Sequence, residues 1–166
     1  MPLSKSMKKT IQRYSQPGKW EVVIPFEKSG EEKEWVGVIR ATEPGLYELK
    51  VTAEHAVPGT TGRITVKAVA AARAVVNVVG MIKIAKEAQQ TDDFLELRVL
   101  TLDPTAKATA EPKLEILADE VKASHAASVG PVDPEQVVYF MSRGVDETRA
   151  KEEIVEGFLR IGDGAV

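Results

Sequence analysis

The 166-residue sequence predicts a mainly β protein that ends in a helical hairpin. Three observations carry that expectation. Short runs rich in β-branched and aromatic residues recur between Trp20 and Ala123, separated by turn residues. Between Arg63 and Ala85 the polar side chains all fall at odd positions while Ile64, Val66, Val76, Val78, Ile82 and Ile84 fall at even ones, a period of two. Beyond Gly130 the spacing becomes helical, and each helical segment opens on an aspartate.

Taken in order, residues 20–26, 34–40 and 46–53 read as strands, with Ser29-Gly30 and Pro44-Gly45 as the turns between them. The third alternates Leu49, Val51 and Ala53 with Glu48, Lys50 and Thr52, as on a half-buried strand. Pro58-Gly59-Thr60-Thr61-Gly62 is a further turn. The alanines of residues 63–85 favour helix by propensity, but Arg63, Thr65, Lys67, Arg73, Asn77 and Lys83 would then scatter around the axis. At period two they share one face, so strands are expected there, interrupted around the alanines and Gly80. Residues 94–100, 114–117 and 121–123 complete the strand set, with Asp103-Pro104 as a turn. The spacing shows no fixed repeat, and many short strands suit a sandwich, a barrel or a β-solenoid alike.

In the C-terminal segment Asp133 is an N-cap, Pro134 the first helical residue, and Gln136 the partner in a capping box. Val132 and Val137 are spaced as a hydrophobic staple, and Gly144 is the stop. Asp146 caps a second helix with Val145 and Ala150 as its staple and Ile154, Val155, Phe158 and Leu159 on one side. The expected organisation is a basic N-terminal tail over 1–19, a β-rich core over 20–130, and a hairpin over 131–166 forming one compact unit with the core.

Composition narrows the chemistry. With 43% hydrophobic and 28% charged residues the chain is an ordinary folded one, long enough to bury a core. A net charge of −3 gives no electrostatic footprint for nucleic acid. No apolar run is long enough to span a bilayer, and the basic leader (Lys5, Lys8, Lys9, Arg13) lacks the apolar centre of a secretory signal, so a cytoplasmic protein is expected. Cysteine is absent, which excludes disulfides, thiolate metal sites and a cysteine nucleophile. No P-loop, dinucleotide fingerprint, nucleophile elbow or zinc-protease motif occurs. Ser124 and His125 are adjacent on a strand and point to opposite faces, which argues against a catalytic dyad. Asp119, Glu120 and His125 have the ligand types for a metal, while solvated turn carboxylates and a hydrogen-bonded histidine are the simpler reading. His55, beside Glu54 near a turn, has less to recommend it.

The segment Asp119-Glu120-Val121-Lys122-Ala123-Ser124-His125-Ala126-Ala127-Ser128-Val129-Gly130, with Leu114-Glu115-Ile116-Leu117-Ala118 before it, resembles the C-terminal part of SufB/SufD proteins of iron–sulfur cluster assembly. The likeness continues through Asp133-Pro134-Glu135-Gln136, Tyr139-Phe140-Met141-Ser142-Arg143-Gly144 and Glu156-Gly157-Phe158-Leu159, and more weakly back through Thr91-Asp92-Asp93 and Thr105-Ala106-Lys107-Ala108. The resemblance implies a short right-handed parallel β-helix-like solenoid with a C-terminal α-helical hairpin. It implies a non-enzymatic scaffold or support subunit that pairs with itself or a SufB-like subunit through the β-core. It also implies that a SufC-like ABC ATPase docks on the hairpin, at Tyr139, Arg143, Phe158 and Leu159. His125 matches a family histidine near the cluster-assembly site between subunits, which makes it the candidate ligand of a transient iron–sulfur cluster. The chain departs from the pattern in being much shorter and in having Ala123 where many relatives have cysteine, so the expectation is a SufD-like support role. An interaction module on the same fold without an iron–sulfur role is the alternative. An enzyme using His125 with nearby carboxylates is a third reading.

Overall fold

In the computed structural model, which describes residues 7–161, the chain winds alternately through two parallel sheets. Nine strands and two helices are present among these residues: β1 (Lys8–Tyr14), β2 (Gly18–Phe26), β3 (Glu32–Ala41), β4 (Gly45–His55), β5 (Thr61–Ala70), β6 (Ala74–Ile84), β7 (Asp92–Thr101), β8 (Lys107–Ile116), β9 (Lys122–Pro131), α1 (Pro134–Ser142) and α2 (Glu147–Leu159). Odd-numbered strands form one sheet in the order β1-β3-β5-β7-β9, and even-numbered strands form the other, β2-β4-β6-β8. Every pairing is parallel. The result is a β-solenoid of about four turns, one strand per sheet in each turn, followed by the helical hairpin.

The solenoid follows from the alternation. In parallel, in-register strands, paired residues stack on the same face, so an inward residue in one rung sits on an inward residue in the next. Trp35, Ile64 and Leu95 form one such column, and Tyr47 and Val76 part of another. All are buried, and the two sheets meet across this layer. Even positions stay inward through both β5 and β6, with Ala70 and Ala74 buried on either side of the bend between them. Small residues make the close approach possible. A Cβ on Gly80 would lie 2.9 Å from the Leu95 methyls, so the leucine occupies the space that glycine leaves.

Several expectations need correction. Within the 1–19 segment, expected to be a tail, Lys8–Tyr14 is β1, paired with β3, and β2 begins at Gly18. Its basic residues Lys9 and Arg13 fall on the outward positions, and Lys9 meets Glu34 at 3.4 Å. Lys5 lies outside the described residues. Gly80 does not interrupt a strand; the break is at the turn containing Ala72 and Arg73. The short strands at 114–117 and 121–123 are the ends of ten-residue strands β8 and β9. Their inward rows carry Ala108, Ala110 and Pro112 in β8 and Ala123 and Ala127 in β9, small or atypical strand residues that hid the alternation. A repeat does exist: Glu32 pairs with Thr61, Thr61 with Asp92, and Asp92 with Lys122, offsets of 29, 31 and 30 residues.

The turn after β5 is held by the next rung. Ala72 and Arg73 have φ of 51° and 62°, a left-handed conformation unfavourable for residues with a Cβ. The Ala72 N–H donates to Asp103 Oδ2 at 2.8 Å and the Arg73 N–H to Thr105 Oγ1 at 2.9 Å. Asp103 also accepts from the Thr105 hydroxyl and amide. Bonds from the Thr105 side chain, the Ala72 amide and the Thr105 amide hold the Asp103 pKa down at about 2.

At the C-terminus both expected caps are present. Asp133 Oδ1 accepts from the Glu135 N–H at 2.9 Å, and Asp146 Oδ1 from the Arg149 N–H at 3.0 Å. Gln136 uses its backbone N–H, donated to the Asp133 carbonyl at 3.2 Å. Gly144, at φ 87°, ends α1, its N–H donating to the Met141 carbonyl at 3.0 Å. α2 then lies on the outer face of the odd-strand sheet, where Val155 and Leu159 bury against Val36, Val38 and Val69.

Candidate functional site

His125 stands on β9, the last strand of its sheet, in register with Leu95. It therefore tops the Trp35–Ile64–Leu95 column at the C-terminal end of the solenoid. Below it that column is buried; the imidazole itself is exposed. Around it the inward rows of the last rung lie open. Leu114 is 38% exposed, Ile116 37% and Val129 45%, while the residues beneath them (Ile82, Ile84, Val99) are at most 2% exposed. Ser124 sits in register with Phe94 on the other face, so the two neighbours do not form a dyad. Asp119 and Glu120 do not join His125. Their backbone N–H groups donate to Gln89 Oε1 at 3.2 and 2.9 Å, and no group of three potential metal ligands exists among the described residues.

The hairpin residues divide. Tyr139 is 56% exposed, with the Arg143 guanidinium 5.0 Å from its ring centre and Val138 and Met141 exposed nearby. These side chains are free to meet a partner. Leu159 is not: at 7% exposure it belongs to the seam between α2 and the sheet. Phe158 is half-buried in the same seam, 5.3 Å beneath the Arg98 guanidinium. The helix period placed both on the apolar side correctly, but that side faces the solenoid. The Arg40–Glu156 ion pair at 2.8 Å and a hydrogen bond donated by Lys67 Nζ to the Arg160 carbonyl at 2.9 Å reinforce the seat. Burial there, with the Arg98 charge adding to it, pulls the Lys67 pKa below the ordinary lysine range.

His55 is the residue that sequence reasoning undervalued. It is buried, stacked on Phe26 at 4.1 Å between ring centres, and bonded at both nitrogens. Nδ1 meets Thr60 Oγ1 at 2.7 Å and Nε2 meets Asp93 Oδ2 at 2.6 Å. The Thr91 hydroxyl, 3.4 Å from that of Thr60, donates to the Ala88 carbonyl at 2.9 Å. Gly62 leaves the room: a Cβ there would stand 2.5 Å from an Asp93 oxygen. The signal was available, because His55 continues the inward row Tyr47, Leu49, Val51, Ala53 of β4. With the His55 and Asp93 side chains fully buried, the cluster ties β4 to β7.

The fold and the site thus define a β-solenoid with one open, histidine-bearing end and an attached helical hairpin. Residues 20–158 match the family model for the SufBD core domain of the SUF system for iron–sulfur cluster assembly. The chain is 41% identical over 86 residues to the iron–sulfur cluster assembly protein SufD of Escherichia coli, covering 52% of this chain and 20% of the relative. With SufD of Bacillus subtilis the identity is 45% over 80 residues, 48% of this chain and 18% of the relative. An iron–sulfur cluster assembly SufBD family protein of Mycobacterium leprae is 32% identical over 144 residues, 82% of this chain and 37% of the relative. The chain belongs to the SufBD family. It spans about a fifth of the length of the two SufD relatives.

Proposed function

We propose that this chain is a SufD-like support subunit in iron–sulfur cluster assembly. It pairs through the open end of its solenoid and docks a SufC-type ABC ATPase through the exposed side of its hairpin. The single observation that carries this reading is the placement of His125, an exposed imidazole on the last strand of the odd-strand sheet with a lone pair suited to iron. Neutral imidazole ligates iron, and without cysteine the chain cannot supply thiolates, so the remaining ligands would come from a paired, cysteine-bearing subunit. A transient cluster is cargo here. The chain's own part is to present one imidazole and to exclude water with the apolar rows beside it. On the hairpin, Tyr139 and Arg143, with Val138 and Met141, give an aromatic–basic–apolar patch of the kind enriched at interface centres. Leu159 and Phe158 support it from below by seating α2. No chemical step is assigned to this chain, so it acts as a binding subunit.

The docking half is tested by co-expressing the chain with a SufC-type ATPase. Tyr139→Asp should abolish co-purification while circular dichroism and thermal unfolding stay unchanged. Undiminished co-purification would remove α1 from the docking surface.

A further inference from the structure

A guanidinium keeps its charge at any ordinary pH, so what it faces is informative. Most arginines of this chain are engaged within the protein. Arg63 meets Asp92 at 3.0 Å, Arg149 meets Glu153 at 2.7 Å, and Arg98 and Arg143 lie over aromatic rings. The exposed side chains of Arg13 and Arg160 have no ion pair or hydrogen bond among the described residues. These two stand almost at opposite ends of the sequence, yet both line one cavity of about 240 Å³.

The fold explains why they meet. Arg13 is in register with Val38, and Arg40 lies two residues further along the same outward face of β3. Leu159 packs in the same apolar cluster as Val38, which delivers the next residue, Arg160, to the same place. Val38 and Leu159, each 7% exposed, give the cavity an apolar floor. Three arginines from three places in the fold thus surround it, and Glu156 is the one carboxylate among its described lining residues. Glu156 meets Arg40 at 2.8 Å, but both side chains are half-exposed, so the pair is weak and open to exchange. The C-terminal end of α2 carries partial negative charge, which disfavours an anion. Here that charge is offset, because Lys67 Nζ donates to the Arg160 carbonyl at 2.9 Å.

We propose that this cavity binds a small phosphate-type dianion, either orthophosphate or the phosphoryl group of a small monoester. Size selects a small ligand, since pockets for drug-sized molecules run from about 300 to 1,000 Å³. Charge selects an anion, because three guanidinium groups face a single carboxylate. Shape selects phosphate, whose oxygens accept paired N–H bonds from guanidinium forks. The Ser15 hydroxyl, also in the lining, adds a donor. The apolar floor keeps water from one side and strengthens each of these attractions. A dianion held there fastens β1 to the last turn of α2.

Isothermal titration calorimetry on the whole chain tests this, with orthophosphate, methyl phosphate and succinate as ligands. Orthophosphate or methyl phosphate should bind saturably, and the tighter of the two assigns the source as free ion or monoester. Arg13→Ala and Arg160→Ala should each weaken that binding about tenfold with an unchanged dichroism spectrum. Arg13→Lys, which keeps the charge but loses the fork, should weaken it less than Arg13→Ala. Lys28→Ala, which removes an exposed cation outside the cavity, should bind like wild type. Absence of saturable binding by the folded wild-type chain overturns the site, as does wild-type affinity in both alanine variants at the arginines. Equal weakening by Lys28→Ala overturns it in favour of diffuse surface charge, and succinate binding as tightly as phosphate overturns the ligand class.

Discussion

Single residues set the strongest constraints where polar groups are buried. His55 and Asp93 bridge β4 and β7, and Asp93 Oδ1 has no hydrogen-bond partner among the described residues. Removing either partner strands the other in an apolar interior. His55→Phe or Asp93→Leu should each cost about 3 kcal/mol in urea denaturation. The double variant should cost less than the two together, because it leaves no orphan; strict additivity would show the pair is not coupled. Asp103 gives a pH-dependent case. Its carboxyl is held down at about 2 by the Thr105 and Ala72 bonds, so the ionised, bonded form is favoured in the folded state. The turn should therefore keep its order above the ordinary aspartate range and lose it as pH falls through about 2. The Ala72 and Thr105 amide NMR shifts should titrate with that midpoint, and a midpoint at the unperturbed value would contradict the hydrogen-bond assignment. Ala72→Gly should stabilise the protein by about 1 kcal/mol, since glycine takes the left-handed conformation without a Cβ penalty.

At the scale of elements, the sequence was most legible where chemistry is local. The two aspartate caps and the Gly144 stop needed only neighbours along the chain, and both helices stand where those signals put them. The period of two likewise separated strand from helix over the alanine-rich β5 and β6. What remained hidden depends on other rungs. β1 reads as a basic tail until β3 supplies Glu34 opposite Lys9, and the apolar side of α2 does not reveal whether it faces a partner or its own sheet. His125 stood out as a candidate only through family likeness, and its exposure follows from the absence of a rung above β9 among the described residues. The buried seam yields a prediction: Leu159→Ala should lower stability by about 2–3 kcal/mol and loosen α2, an effect that surface residue Tyr139 should not share. Hydrogen exchange along α2 would register the difference.

The whole molecule is a stack in which each turn contacts mainly its neighbours, so its ends decide what it can do. At the β1–β2 end Tyr14 packs against Trp20, their rings 4.6 Å apart. The other keeps its inward rows and one strand edge open, with His125 among them. The proposed assembly role rests on this asymmetry: in that reading the open end recruits a partner, and the hairpin beside it offers a separate surface to a motor subunit. The most direct measurement is the iron and acid-labile sulfide content of the complex with a cysteine-bearing SufB-like subunit and a SufC-type ATPase, reconstituted anaerobically. Wild type should retain iron and sulfide, and His125→Ala should assemble the same complex yet lose most of both; equal retention by the two proteins would contradict a ligand role for His125.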